Sequence, residues 1–299
     1  MLGAPCLSRA FKQAVERVPD KLQTLLRSCV LCPHLCRVDR LAGELGVCRT
    51  GAEPVIASAG PHFGEEPPLA GTRGSGTIFF TGCNLGCVFC QNYQTSQLRE
   101  GRQISEDDLA EIMLDLQRAG CHNINWVTPT HQVPAIFAAL KTARARGLRL
   151  PTVFNCGGYE RPEILRLLEG QVQIYMPDAK FLLAETAGRY TTAPDYPQAM
   201  KSALREMHRQ VGDLEIRDGL AVRGLLVRHL VMPGGADESM AILEFIAREI
   251  SPDTYVSVMD QYHPAGRSRD FPELARRVTS EEYLRVRRHA EKLGLRLSD

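Results

Sequence analysis

Long hydrophobic runs are missing from this 299-residue chain: no apolar stretch is long enough to span a bilayer, so a helical membrane anchor is not expected. The first ten residues turn charged before any continuous apolar segment forms, and no secretory signal is expected either. An excess of one charge is also absent. With 36 Lys and Arg against 35 Asp and Glu, the net charge is +1, which gives no electrostatic reason to expect nucleic acid or an anionic membrane as the main partner. There is no internal sequence repeat and no segment of low complexity. What remains, 44% hydrophobic and 24% charged residues, suits a soluble, cytoplasmic protein with one large core, or one core plus an appendage.

Cysteine, by contrast, is plentiful. The chain has 10, and they are grouped: Cys29, Cys32, Cys36 and Cys48 form one set, Cys83, Cys87 and Cys90 another, while Cys6, Cys121 and Cys156 stand alone. In a reducing compartment such grouping argues for metal ligands or buried thiols over disulfides. Three thiolates within eight positions leave a tetrahedral zinc one ligand short, and they leave one iron of a cubane cluster open to a ligand that is not protein. The first set, C-x2-C-P-x2-C-x11-C, satisfies either zinc or an iron–sulfur cluster, and its spacing does not choose between them.

Residues 8–27 carry apolar positions at helical spacing, interrupted by Pro19, and predict one or two short helices. Residues 51–76 are rich in Gly and Pro and read as ordered loop. From there the pattern is regular. Strand-like runs fall at 77–81, 123–128, 150–155, 171–177, 222–230 and 254–260, with helix-like runs at 105–119, 131–146, 161–168, 197–211, 237–249 and 279–293. Ser105 with the acids after it reads as a helix start, and Gly120 and Gly147 as stops. Such alternation predicts an α/β fold with a parallel sheet and right-handed crossovers, divided into an extension over 1–76 and a main domain over 77–299.

The spacing C-x3-C-x2-C, followed by Gln91-Asn-Tyr93, resembles the cluster motif of the radical S-adenosylmethionine (SAM) enzymes. The phrases Gly74-Ser-Gly-Thr-Ile-Phe-Phe80 and Cys90-Gln-Asn-Tyr93 are similar to an uncharacterised group related to pyruvate formate-lyase activating enzyme. The resemblance implies a 4Fe–4S cluster on Cys83, Cys87 and Cys90, with SAM on the open iron. It implies reductive cleavage of SAM to a 5′-deoxyadenosyl radical that abstracts hydrogen from a substrate, with the cofactors carrying the radical chemistry. The implied fold is a partial (β/α)6 TIM-type barrel behind an N-terminal cysteine-rich, metal-binding extension, and the implied partner is an electron donor such as flavodoxin or ferredoxin.

Functional groups of β/α barrels sit at the C-terminal strand ends, and polar motifs recur there. The resemblance places Phe89 against adenine. Thr128 and Thr130 stand where the best-known members carry Gly-Gly-Glu; they can offer acceptors to the SAM amino group or cap a helix. Asn155 and Cys156 look like a substituted Asp-Thr, with Cys156 read as a small buried residue lining the site. Met176, Asp178 and Lys180 share the next motif; the resemblance puts Asp178 beside a monovalent cation and Lys180 on SAM, against the alternative of a surface ion pair. Arg228 is implied at the SAM carboxylate or ribose, against an ion pair inside the barrel, and His263 near the adenosyl group, against a loop histidine. His62, Glu65 and Glu66 are placed over the barrel mouth or among solvated loop charges.

The substrate is open. One reading is a glycine of a partner protein; another is a small molecule or a different peptide. A non-catalytic zinc-binding interaction protein, with zinc in both cysteine sets, is the alternative from another class.

Overall fold

The computed structural model describes residues 18–298. Its elements, in chain order, are α1 (Val18–Thr24), β1 (Val55–His62), α2 (Pro67–Ala70), β2 (Ser75–Phe80), β3 (Arg102–Gln103), α3 (Glu106–Arg118), β4 (Ile124–Val127), α4 (Val133–Ala145) and β5 (Thr152–Cys156). They continue with α5 (Pro162–Leu167), β6 (Ile174–Pro177), α6 (Ala184–Tyr190), α7 (Tyr196–Val211), β7 (Glu215–Arg217), β8 (Leu220–Leu230), α8 (Ala236–Phe245), β9 (Tyr255–Met259), α9 (Ser280–Lys292) and β10 (Arg296–Leu297). Residues 8–17 of the expected N-terminal helical run lie outside the described residues. Pro19 does not break α1 but stands in its first turn, where no backbone donor is missed.

The strands form one sheet in the order β10-β9-β8-β6-β5-β4-β2-β1-β3, with β7 paired to β8. β2, β4, β5, β6, β8 and β9, the strands expected from the sequence, pair in parallel with one another in that order. Every residue of β5 and β6 is buried, as strands covered on both faces must be. Trp126, Phe154 and Val227 belong to the apolar core, and Asn125, Asn155 and Arg228, one residue away on the same strands, project to the other face. The sheet does not close on itself, which makes it a partial barrel. Ser105 and Asp108 form a reciprocal capping box at the start of α3, as the acids there imply.

The loop expected over residues 51–76 is corrected in part. It contains β1, antiparallel to β2, with Ile56 opposite Phe80 and His62 opposite Ser75. Val55-Ile-Ala-Ser-Ala-Gly-Pro-His62 lacks strict alternation, so this strand is formed by pairing with the buried β2 rather than by its own pattern. β1 lies on the N-terminal side of the division expected at residue 76 and is hydrogen-bonded across it.

Candidate active site

At the C-terminal ends of the parallel strands lies a cavity of about 240 Å³. Cys83, Cys87 and Cys90 line it together with Phe89, Thr128, Asn155, Cys156, Asp178, Lys180 and Arg228, so motifs spread over 146 positions of sequence meet in one place. Gly82 (φ 80°) turns the chain out of β2 into the cysteine loop. The Leu85 amide donates to Cys83 Sγ at 3.3 Å and the Ser96 hydroxyl to Cys90 Sγ at 3.2 Å. Burial pushes the Cys83 and Cys87 thiols up, and Lys180 opposes this at Cys87. A metal or cluster bound here would have to displace the thiol protons. Among the described residues, no three His, Cys, Asp or Glu side chains are arranged around a single metal ion. Three soft donors around one cavity, with donors already aimed at two sulfurs, fit a cluster larger than one ion.

Below the cysteines runs a charged network. Lys180 Nζ donates to Asp178 Oδ2 at 2.6 Å, and Arg228 Nε to Asp178 Oδ1 at 2.9 Å. Arg228 Nη2 reaches Asn155 Oδ1 at 2.8 Å and Nη1 reaches Glu65 Oε1 at 3.2 Å. Asn125 Nδ2 closes the network on Glu65 Oε2 at 2.7 Å. Burial pushes the Asp178 carboxyl up, but Arg228 and Lys180 override it and hold the group below its ordinary value. Glu66, beside this network, is pushed up to about 7 by burial, against the pull of Arg228.

Glu65 and Glu66 therefore do not reach over the barrel mouth. The antiparallel β1 delivers them to the opposite face, where His62 pairs with the first residue of β2, and Glu65 enters the barrel from below. Three further expectations meet a different placement. Thr130 is buried away from the cavity and donates to Glu160 Oε1 at 2.6 Å. Met176 packs in an apolar cluster with Leu69, Val153, Ile174 and Leu226. His263 is exposed, because Tyr262 turns inward and donates to Leu274 O at 2.7 Å. Thr128 does line the cavity, but with φ 60°, a strained setting for a β-branched residue, and its side chain caps no helix. Gln91 and Asn92, which belong to the motif phrase, and Gln261 also line the cavity, although none of the three was assigned a site role from sequence.

The N-terminal cysteines are folded as a tight knuckle. Cys29 N donates to Val38 O at 2.9 Å and Arg37 N to Cys29 O at 2.9 Å, while Val47 N approaches Cys36 Sγ at 3.5 Å. A Cβ on Gly46 would sit 2.7 Å from Cys36 Sγ, so only glycine fits there. Burial raises the Cys32 and Cys48 thiols, with Cys36 and Cys48 near Cys32 and Cys29 near Cys48. The knuckle docks on the barrel through Arg161, whose Nη1 donates to Val30 O at 2.6 Å, and through buried Arg40, which donates to Gly51 O and to His131 O.

Residues 77–178 match the family model of the radical SAM superfamily. The chain belongs to this superfamily. Over 285 residues this radical SAM protein is 32% identical to the uncharacterized protein MJ0674 of Methanocaldococcus jannaschii, which covers 92% of this chain and 78% of that one. Among solved structures it is similar to native anSMEcpe with bound AdoMet (TM-score 0.48, 10% identity, 71% of this chain) and to Streptococcus suis SuiB bound to precursor peptide SuiA (TM-score 0.47, 11% identity, 70% of this chain). The chain spans 57% and 43% of the lengths of those two. Among the described residues, no helix is long and apolar enough to cross a membrane.

Proposed function

We propose that this radical SAM protein is an activating-enzyme-like oxidoreductase that abstracts hydrogen from a glycine of a partner protein. The observation that carries the radical reaction is the meeting of Cys83, Cys87 and Cys90 with Lys180 in one strand-end cavity. Cys83, Cys87 and Cys90 would hold a 4Fe–4S cluster. With that cluster and SAM bound, one electron from a flavodoxin- or ferredoxin-like donor would break a carbon–sulfur bond of SAM and supply a 5′-deoxyadenosyl radical, with methionine as the other product.

The chain's own residues bind and shield. Lys180 has three donors and gives one to Asp178, so it keeps donors for the SAM carboxylate. Arg228 has Asp178, Glu65 and Asn155 as partners, and its role is to fix Asp178, and through it Lys180, rather than to grip SAM alone. Both Asp178 oxygens are engaged by protein cations, so Lys180 and Arg228 already supply the countercharge that a monovalent cation beside Asp178 would bring. Phe89, held by an edge-on contact to Phe181 and a tilted one to Tyr262, would wall the adenine side and keep water out. The uncharged amides of Gln91, Asn92 and Gln261 on the rim suit a peptide backbone, which supports the protein substrate. The knuckle cysteines Cys29, Cys32, Cys36 and Cys48 are not arranged around a single ion as they stand, and a second metal, zinc or iron–sulfur, would require their side chains to close around it.

The test is anaerobic reconstitution with iron and sulfide, followed by electron paramagnetic resonance of the reduced protein with and without SAM. A cluster signal that changes on adding SAM is expected. Zinc at Cys83–Cys90, or a signal indifferent to SAM, would overturn the proposal.

A further inference from the structure

His34 lies inside the N-terminal cysteine set, between Cys32 and Cys36, yet its ring reaches the other set. Its Nε2 is 2.7 Å from Asn84 O. A carbonyl only accepts, so Nε2 carries the proton and donates. That carbonyl belongs to the peptide unit whose N–H, on Leu85, donates to Cys83 Sγ at 3.3 Å. The two hydrogen bonds thus enter and leave one planar peptide, oxygen on one side and N–H on the other.

We propose that His34 tunes the redox potential of the cluster on Cys83, Cys87 and Cys90 through this single peptide, and so couples the N-terminal cysteine set to it. The inference rests on the cluster reading given above. A donor at the carbonyl polarises the peptide and strengthens donation by its N–H, as in any hydrogen-bond chain. Hydrogen bonds to cluster sulfurs favour the state with more negative charge, which is the reduced one, and raise the potential.

The geometry is held on both sides. The His34 ring meets Tyr159 edge-on at 5.1 Å, and Asn84 Nδ2 donates to Tyr159 O at 2.9 Å, with Asn84 2% exposed. On the other flank of Cys83, a Cβ on Gly82 would lie 2.7 Å from Thr50 Oγ1 and 2.9 Å from Cys48 O. Both arms of the N-terminal set, Cys32–Cys36 and Cys48–Thr50, therefore press on the two residues that bracket Cys83. Whatever fills the N-terminal set fixes these arms, and with them the His34 hydrogen bond.

The test is a redox titration of the reconstituted full chain followed by electron paramagnetic resonance, with iron content measured in parallel. His34→Phe keeps a ring against Tyr159 but has no donor; its midpoint is expected to move to more negative potential, read as a several-fold smaller reduced fraction at fixed poise. His34→Gln retains an N–H donor and is expected to restore most of the wild-type midpoint. Cys36→Ser is expected to shift the midpoint in the same direction, and His34→Phe added to it to shift it no further. An intact cluster with an unchanged midpoint in His34→Phe would overturn the tuning, and a wild-type midpoint in Cys36→Ser would overturn the coupling. A wild-type protein that takes up no cluster at Cys83–Cys90 would instead overturn the cluster reading, and this inference with it.

Discussion

Arg228 shows how a residue's environment changes the reading of its type. Its fork is suited to a ligand carboxylate, but Glu65, Asp178 and Asn155 already take its nitrogens. Arg228→Leu would leave buried Glu65 with side-chain amides but no cation, and Asp178 with Lys180 alone, and a loss of about 3–5 kcal/mol is expected in denaturant unfolding. Glu66 gives a prediction in pH. In the folded protein it keeps its proton up to about 7, against an ordinary 4.5. Between those values the native state binds more protons than the unfolded chain, so this group makes stability fall as pH rises through the window and level off above it. Glu66→Gln is expected to remove that slope and to stabilise the protein at pH 8 by on the order of 2–3 kcal/mol, measured by unfolding at a series of pH values.

At the scale of elements, the parallel strands and the helices α3, α4, α5, α7, α8 and α9 were legible because burial imposes a pattern on sequence: continuous apolar runs on covered strands, spaced ones on helices. β1 was not, since its pairing with β2 supplies what its own residues lack. The same strand explains the misplaced Glu65, because only the direction of β1 says which face of the barrel its end reaches. His263 was placed by motif, and the outcome depended on which of two adjacent aromatic side chains, Tyr262 or His263, turned inward. The cysteine loop and the Asp178–Lys180 pair were readable because each combines residue type with position at a strand end. Gly158 ties two such ends together: it has φ 79°, and a Cβ there would lie 2.3 Å from Asp178 O. Gly158→Ala is expected to cost about 1–3 kcal/mol in thermal or denaturant unfolding and to weaken SAM binding by displacing Asp178.

For the whole molecule, an open parallel sheet gathers strand ends into one cavity, β1 and α2 seal the barrel from beneath, and the cysteine knuckle leans on the cluster loop from the side. That arrangement gives the cavity a charged floor and an open rim. Everything turns on the cysteines at its centre. The most direct measurement is a single-turnover assay under anaerobic conditions: the reconstituted, reduced protein is mixed with SAM, and 5′-deoxyadenosine is quantified by mass spectrometry beside Cys87→Ala. Formation of 5′-deoxyadenosine by the wild type and its loss in Cys87→Ala are expected; equal yields from both proteins would contradict the assignment of the reaction to these cysteines.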